Sequence, residues 1–311
     1  MPCNKMCNST ARLDGKTAVI TGSNTGIGKE TAQDFYQRGC RVIMACRNLQ
    51  KANDAVEDIK SKCKDKTNLG ELIVTEVDVS NLQSVRKCAQ HLLDTEQRID
   101  LLINNAGVMA IPQSKTVDGF EMQFGTNHLG PFLFTLLLLP RIIRSKPARI
   151  VMVSSVAHTG GSIDFNDLMY EKRRYGAIGA YQQSKLANVL FAKELARRLE
   201  AAKIDGVTTY SLHPGVIDTE LYNSLGDTYS GFVQWTMTTI NRFFAKTPLQ
   251  GAQTTIYCAV DEHCANETGL YYAECAVKRP SRRAQDEETA KKLWECSLKL
   301  VGLEDNYDPF K

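Results

Sequence analysis

The stretch that most constrains this chain runs from Thr17 to Arg38. Thr17-Ala-Val-Ile20 is a short apolar run and reads as a buried strand. It passes directly into Thr21-Gly-Ser-Asn-Thr-Gly-Ile-Gly28, and a helical pattern then runs from about Ile27 to Arg38, ended by Gly39. Strand, glycine loop and helix in that order aim the helix N-terminus at the end of the strand. Glycines let the main chain approach an anion there, and the unpaired N–H groups of the first helical turn favour negative charge. The spacing of Gly22, Gly26 and Gly28 is Gly-x-x-x-Gly-x-Gly, not the more familiar Gly-x-Gly-x-x-Gly. A bare tight turn is the alternative. The context favours a dinucleotide pyrophosphate held by Gly22, Ser23, Asn24, Gly26, Ile27 and Gly28.

Further strands are expected at Arg41 to Ala45, Leu72 to Val77, Leu101 to Asn104, Arg149 to Val153, Val207 to Leu212 and Leu270 to Tyr272. Helices are expected at about Asn48 to Lys64, Asn81 to Glu96, Phe120 to Leu139, Tyr181 to Ala202, Leu249 to Val260 and Gln285 to Leu300. Alternation of this kind predicts an α/β Rossmann fold. It is a single-domain, doubly wound, mostly parallel sheet with helices on both faces and right-handed connections. Residues 1–12 are polar and read as a disordered tail before a single domain at 13–311. Within that domain, residues 218–248 are expected to form a C-terminal lobe over the substrate. Its 230–246 part carries an apolar stripe that reads as cover for the cleft, with contact to a membrane surface left open, or as core.

Polar and small residues cluster at predicted strand ends. Where a dinucleotide site often places a carboxylate on the ribose 2′-hydroxyl, this chain has Cys46-Arg47-Asn48. Arg47 suits a 2′-phosphate, because a guanidinium matches phosphate oxygens with paired donors; the expected cofactor is therefore NADP(H). Asp78 and Val79 end the third strand, with helix capping as the other role open to Asp78. Asn105, Ala106 and Gly107 follow the fourth, Ser155 the fifth, and Pro214, Gly215, Val216 and Thr219 the sixth. Asn127 lies within a largely apolar helix.

Tyr181 and Lys185 are four apart, so on a helix they share a face. A free tyrosine has a pKa of about 10. A cation one turn away favours the phenolate, which makes the pair an acid/base for an alcohol oxygen. Alone, Tyr-x-x-x-Lys is too common to carry that reading.

Composition removes several classes. Net charge is +3 in 311 residues, too mild for a nucleic-acid binder without a recognition motif. The five histidines show no zinc spacing, so no metal site is expected. Ten cysteines without Cys-x-x-Cys spacing or a secretory signal read as reduced thiols. No stretch is long and apolar enough for a transmembrane anchor.

Together, Thr-Gly-x-x-x-Gly-x-Gly at 21–28, Asn-Asn-Ala-Gly at 104–107, Asn127, Ser155, Tyr-x-x-x-Lys at 181–185 and Pro-Gly at 214–215 resemble the short-chain dehydrogenase/reductase family. Asn24-Thr-Gly-Ile-Gly-Lys29, Ala45-Cys-Arg47, Ser154-Ser-Val-Ala-His158, Ser184-Lys-Leu-Ala-Asn188 and Thr208-Thr-Tyr-Ser-Leu-His-Pro-Gly215 look like its retinol dehydrogenase branch. The resemblance implies catalysis by Tyr181, Lys185, Ser155 and Asn127. Tyr181 would exchange the proton, and Lys185 would hold the nicotinamide ribose. Ser155 would bond the substrate oxygen, and Asn127 would seat a relay water. It implies hydride transfer between NADP(H) and an apolar alcohol or carbonyl, retinol and retinaldehyde foremost. Reduction of steroids, quinones or other lipid aldehydes, and a non-catalytic NADP-binding module, stay open. Many NADP-preferring relatives carry a basic residue where this chain has Thr25, so Arg47 bears that argument. Membrane-bound members of the branch often begin with a hydrophobic anchor, absent here. The expected location is cytoplasmic, with peripheral contact to the endoplasmic reticulum membrane and homo-oligomerisation left open.

Overall fold

A computed structural model describes residues 5–215, 246–303 and 307–310. Its elements in order are β1 (Thr17–Thr21), α1 (Gly26–Gln37), β2 (Arg41–Cys46), α2 (Leu49–Lys62), β3 (Glu71–Glu76), α3 (Leu82–Thr95) and β4 (Leu101–Asn104). Then come α4 (Met122–Phe124), a π-helical turn (Gly125–Leu129), α5 (Gly130–Arg144), β5 (Ala148–Val153) and a 3-10 turn (Val156–Gly160). They are followed by α6 (Ala177–Ala201), β6 (Val207–His213), α7 (Pro248–Val260), β7 (Leu270–Ala273), β8 (Ala276–Val277) and α8 (Glu287–Leu300).

Among the described residues the strands form one sheet in the order β3-β2-β1-β4-β5-β6-β7-β8, parallel throughout except for the β7–β8 hairpin. Side chains alternate across the strands, and the two faces bury separate cores. Ala18, Ile20, Val42 and Met44 pack with α1, α2 and α7. Val19, Ile43, Leu102 and Ile150 pack with α3, α5, α6 and α8. Complete burial of each such aliphatic side chain contributes about 1.5–3 kcal/mol. The chain order reverses between β1 and β4, so the loops after these two strands open a crevice at their carboxyl ends. The predicted parallel, doubly wound sheet is the fold observed. Among the described residues the predicted set of strands lacked only β8, whose two residues are too few to show a period.

Three differences bear on the site. The helix expected from Phe120 to Leu139 is interrupted by the π turn and continues through Pro140 to Arg144. Proline at 140 cannot bond the Leu136 carbonyl, and the Tyr307 hydroxyl donates to that oxygen at 2.9 Å. Gly130 is required just after the π turn, because a Cβ there would collide with the Val79 carbonyl three residues past β3. Helix α6 begins at Ala177, four residues before Tyr181, so the tyrosine stands inside a formed turn and not at its opening. Phe132 of α5 packs at 5.0 Å on Phe191 of α6 and at 5.2 Å on Trp294 of α8, fixing these helices against one another.

Residues 5–12 make contacts with the body of the fold. Cys7 N–H donates to Gln253 Oε1 at 3.0 Å, and Arg38 donates to the Ser9 and Ala11 carbonyls. The nine cysteines described are all free thiols. No described helix is long and apolar enough to cross a membrane. Val216, Thr219 and the 218–248 segment up to residue 245 lie outside the described residues.

Candidate active site

A cavity of about 610 Å³ opens at the carboxyl ends of β1, β4 and β5. One side of it is the glycine loop and its surroundings: Gly22, Asn24, Gly26, Ile27, Arg47, Asp78 and Val79. The other side carries Tyr181, Lys185, Ser154 and Pro214, with Asn105, Ala106 and Gly107 also in its wall. Its size is ordinary for a cofactor or substrate pocket.

The glycine loop is held by its neighbour across the switch point. Asn105 Nδ2 donates to the Thr21 and Gly22 carbonyls at 2.9 and 3.0 Å. Thr21 Oγ1 in return accepts the Asn105 and Ala106 N–H groups, each at 3.0 Å. Gly22 has φ of +65°, and a Cβ on it would sit 3.0 Å from the Ala106 Cα. Gly28 is buried, and a Cβ there would lie 2.6 Å from Asn105 Nδ2. Its missing side chain allows close packing of helix on loop. Ser23 also turns inward: it is fully buried, and its hydroxyl donates to the Ile20 carbonyl at 3.0 Å. A ligand could meet only its main chain.

These residues fit a dinucleotide on a feature of the helix itself. Thr25 at the N-cap of α1 makes no side-chain cap, and the first turn holds no acidic residue. By contrast Asn48, Asn81, Thr247 and Asp286 each cap the helix that follows them. The first N–H groups of α1 therefore face the cavity with no side-chain acceptor among the described residues, as a pyrophosphate site requires. Arg47 is exposed and lines the same end. Asp78 does not cap α3, since Asn81 accepts from Gln83 and Ser84 N–H. Its carboxylate instead accepts from Ser80 N–H at 2.9 Å and Ser80 Oγ–H at 2.6 Å. That turn holds Asp78 at the cavity wall.

At the other end, Tyr181 and Lys185 share one face of α6, with Lys185 Nζ 5.6 Å from the tyrosine ring centroid. Lys185 is only 5% exposed, and its Nζ donates to the Val153 carbonyl at 3.1 Å. Burial lowers its pKa from 10.5 to about 8. Gly107 keeps the space beside it open, for a Cβ there would lie 3.5 Å from Nζ and 2.9 Å from Asn127 Oδ1. Ser154 Oγ–H donates to the Lys185 carbonyl at 2.7 Å and so pins α6 to the end of β5.

Asn127 lies in the π turn, a distortion common at functional sites. Its side chain is committed to structure. Oδ1 accepts Val108 N–H at 2.8 Å, while Nδ2 donates to the Val108 carbonyl and to Ser184 Oγ, both at 2.9 Å. The side chain thus braces the loop after β4 against α6. Ser155 follows the cavity-lining Ser154, is half-buried, and caps the 3-10 turn by accepting Ala157 N–H at 3.2 Å. Gly215 has φ of +100°, and a Cβ on it would meet the Lys246 side chain at 2.7 Å.

Sequence reading missed several supports. Gln123 Oε1 accepts Ala110 N–H at 2.7 Å, holding a residue with φ of +49° in the loop beyond Val108. Thr21, Ser184 and Ser154 brace the site, while Met109, Ile111, Thr126 and Pro248 line it. Thr21, Ser184 and Ser154 stand inside the motifs themselves, but only distances reveal their partners.

The short chain dehydrogenase family model matches residues 16–230. Retinol dehydrogenase 11 of Homo sapiens is 47% identical over 298 residues, covering 96% of this chain and 89% of that protein. Retinol dehydrogenase 13 of Homo sapiens is 46% identical over 298 residues, covering 96% and 88%. Among solved structures, an uncharacterized protein from Mycobacterium Paratuberculosis is 37% identical with a TM-score of 0.75, covering 96% of this chain and 97% of that one. The RhlG/NADP active-site complex of Pseudomonas aeruginosa shares the fold at 23% identity and a TM-score of 0.63, over 85% of this chain and 96% of that one. By sequence, topology and site geometry, this chain belongs to the short chain dehydrogenase family and is an oxidoreductase built for a nicotinamide cofactor.

Proposed function

We propose that this protein transfers hydride between NADP(H) and an apolar alcohol or carbonyl, with retinol and retinaldehyde or a related lipid aldehyde as the substrate class. One observation carries the reading: a single cavity is lined at one end by the glycine loop and Arg47 and at the other by Tyr181 and Lys185. The nicotinamide, when bound, supplies or accepts the hydride. Gly22, Asn24, Gly26 and Ile27 would hold the pyrophosphate at the start of α1. Arg47 would take the 2′-phosphate. Tyr181 would give its phenolic proton to the substrate oxygen in reduction and take it back in oxidation. Lys185, charged below about pH 8, would stabilise the phenolate and orient the cofactor ribose. Ser155 would bond the substrate oxygen, and Asn127 would keep the Val108 loop and α6 in register. The identity to retinol dehydrogenases supports the retinoid class, and the apolar Val108, Met109 and Ile111 in the cavity wall suit it.

The test is NADPH consumption with retinaldehyde, in wild type and in Tyr181→Phe. The variant keeps the ring and loses the hydroxyl. It is expected to bind NADPH with unchanged Kd while kcat falls at least about 100-fold, the scale of a lost general acid. Retained turnover would remove Tyr181 from the mechanism.

A further inference from the structure

Ser155 owes its position to a histidine three residues on. His158 is 1% exposed. Its main-chain N–H donates to the Ser155 carbonyl at 3.1 Å, and its ring Nδ1 meets the same oxygen at 2.7 Å. A carbonyl oxygen has two lone pairs, and both are taken by one residue. On the far side of the ring, Nε2 lies 3.2 Å from Ser281 N–H, a group that can only donate. Nε2 is therefore the acceptor and Nδ1 carries the hydrogen, so the partners on both sides select a single neutral tautomer. Burial lowers the His158 pKa, which agrees with that state. The ring also packs on Tyr271 of β7 at 4.7 Å. Arg283 Nη1 adds a second tie from the segment after β8, donating to the Gly161 carbonyl at 2.9 Å.

With both ring nitrogens engaged by main chain and the ring shut off from solvent, His158 has no free site for proton exchange with a substrate. What it can do is fix the Ser155–Val156 peptide. Ser155 Oγ accepts Ala157 N–H in the same turn, so the position of that peptide sets where the hydroxyl hydrogen is free to point. We propose that His158 is a positioning residue that locks the Ser155 hydroxyl for the substrate oxygen by tying the end of β5 to the chain after β8. The proposal rests on Ser155 acting as described under Proposed function.

The two arms of the ring can be separated. The Nδ2 of an asparagine lies at nearly the reach of the histidine Nδ1, and the Oε1 of a glutamine at nearly that of Nε2. His158→Asn keeps a donor for the Ser155 carbonyl and loses the acceptor for Ser281. His158→Gln does the reverse. His158→Ala loses both. For reduction of retinaldehyde, His158→Ala and His158→Gln are expected to lower kcat by about 10- to 100-fold, since displacement of a reacting group by an ångström is worth that much. His158→Asn is expected to recover to within about threefold of wild type, and NADPH Kd to stay within about twofold in all three. Tm should follow another order, with His158→Gln retaining more of it than His158→Asn. If kcat instead follows Tm across the series, His158 is a structural residue and the proposal fails.

A double-variant cycle separates this proposal from the reading beneath it. In a Ser155→Ala background, His158→Ala should lower kcat no further. Equal proportional losses in both backgrounds would overturn the positioning role. A Ser155→Ala enzyme with undiminished kcat would instead remove Ser155 itself from the mechanism.

Discussion

Replacing Lys185 with methionine should make the apoenzyme more stable while disabling it. The ammonium is shut away from water, and its pKa falls from 10.5 to about 8 through burial alone. One pKa unit is about 1.4 kcal/mol, so holding the charge at pH 7 costs about 3 kcal/mol relative to the unfolded chain. Methionine has a similar length, no charge and a flexible apolar body. The substitution also removes the donor to the Val153 carbonyl, which retains Asn188 Nδ2 at 3.5 Å. A weakened buried hydrogen bond of this kind costs about 1 kcal/mol or more. The net expectation at pH 7 is a gain of about 1–2 kcal/mol. Its pH dependence is the sharper test. Between about pH 8 and 10.5 the unfolded wild-type lysine binds a proton that the folded one has released, so wild-type stability rises with pH across that window. The advantage of Lys185→Met should be constant below pH 8 and shrink by about 3 kcal/mol towards pH 10.5. Urea unfolding of both proteins at pH 7, 8.5 and 10 measures it, and processes common to both cancel in the difference. A difference that does not change between pH 7 and 10 would refute the account of Lys185 as a charge held at a desolvation cost.

Arg47→Ala should weaken NADPH by about 1.5–3 kcal/mol, the scale of a charge-assisted hydrogen bond, and leave NADH nearly unchanged; titrating both cofactors decides between a 2′-phosphate contact and a bystander. Gly28→Ala should force the loop away from Asn105 and the Gly22 carbonyl, lowering stability by about 1–3 kcal/mol and raising the Kd of both cofactors together; calorimetry that found neither change would dismiss the packing argument. Acid should destabilise the fold early. Burial lowers the His128 pKa to about 3 and that of His213 to about 4, both below the ordinary 6.5. Their unfolded forms therefore bind protons first, and stability should be lost as pH falls from about 6.5 towards 4; a His128→Gln variant should lose less of it over that range, and an identical acid profile would count against His128.

The elements themselves were legible because their signals are local. A short stretch such as Leu101–Asn104, three apolar residues and an asparagine, needs no knowledge of the rest of the chain to be read as a strand, and the structure returns it with the same bounds. The glycine loop was legible for the same reason, since strand, Gly22 and helix are consecutive. Where the reading went astray, a distant contact had overruled a local rule. Pro140 should have ended a helix, but the Tyr307 hydroxyl satisfies the carbonyl it leaves behind. Nor does the local sequence show what Asn127 touches, since Val108 and Ser184, which take up its side chain, lie 19 and 57 positions away. Ser23 turns its hydroxyl onto Ile20 only three residues back, a local contact that no periodicity announces.

By itself the sequence determined which residues could do chemistry: a tyrosine and a lysine one helical turn apart, an arginine in place of a carboxylate, and glycines between a strand and a helix. Spacing along a chain is enough for that, because helical and strand periods act over a few residues. Only the tertiary structure decided that these groups share one cavity. The sheet places β4 beside β1, so Asn105 reaches the glycine loop 83 positions earlier, and α6 returns Lys185 to the end of β5. Strand order and helix packing arise from the burial of two whole faces of apolar surface. That surface is contributed by the entire chain, and no single stretch of it records who its neighbour will be.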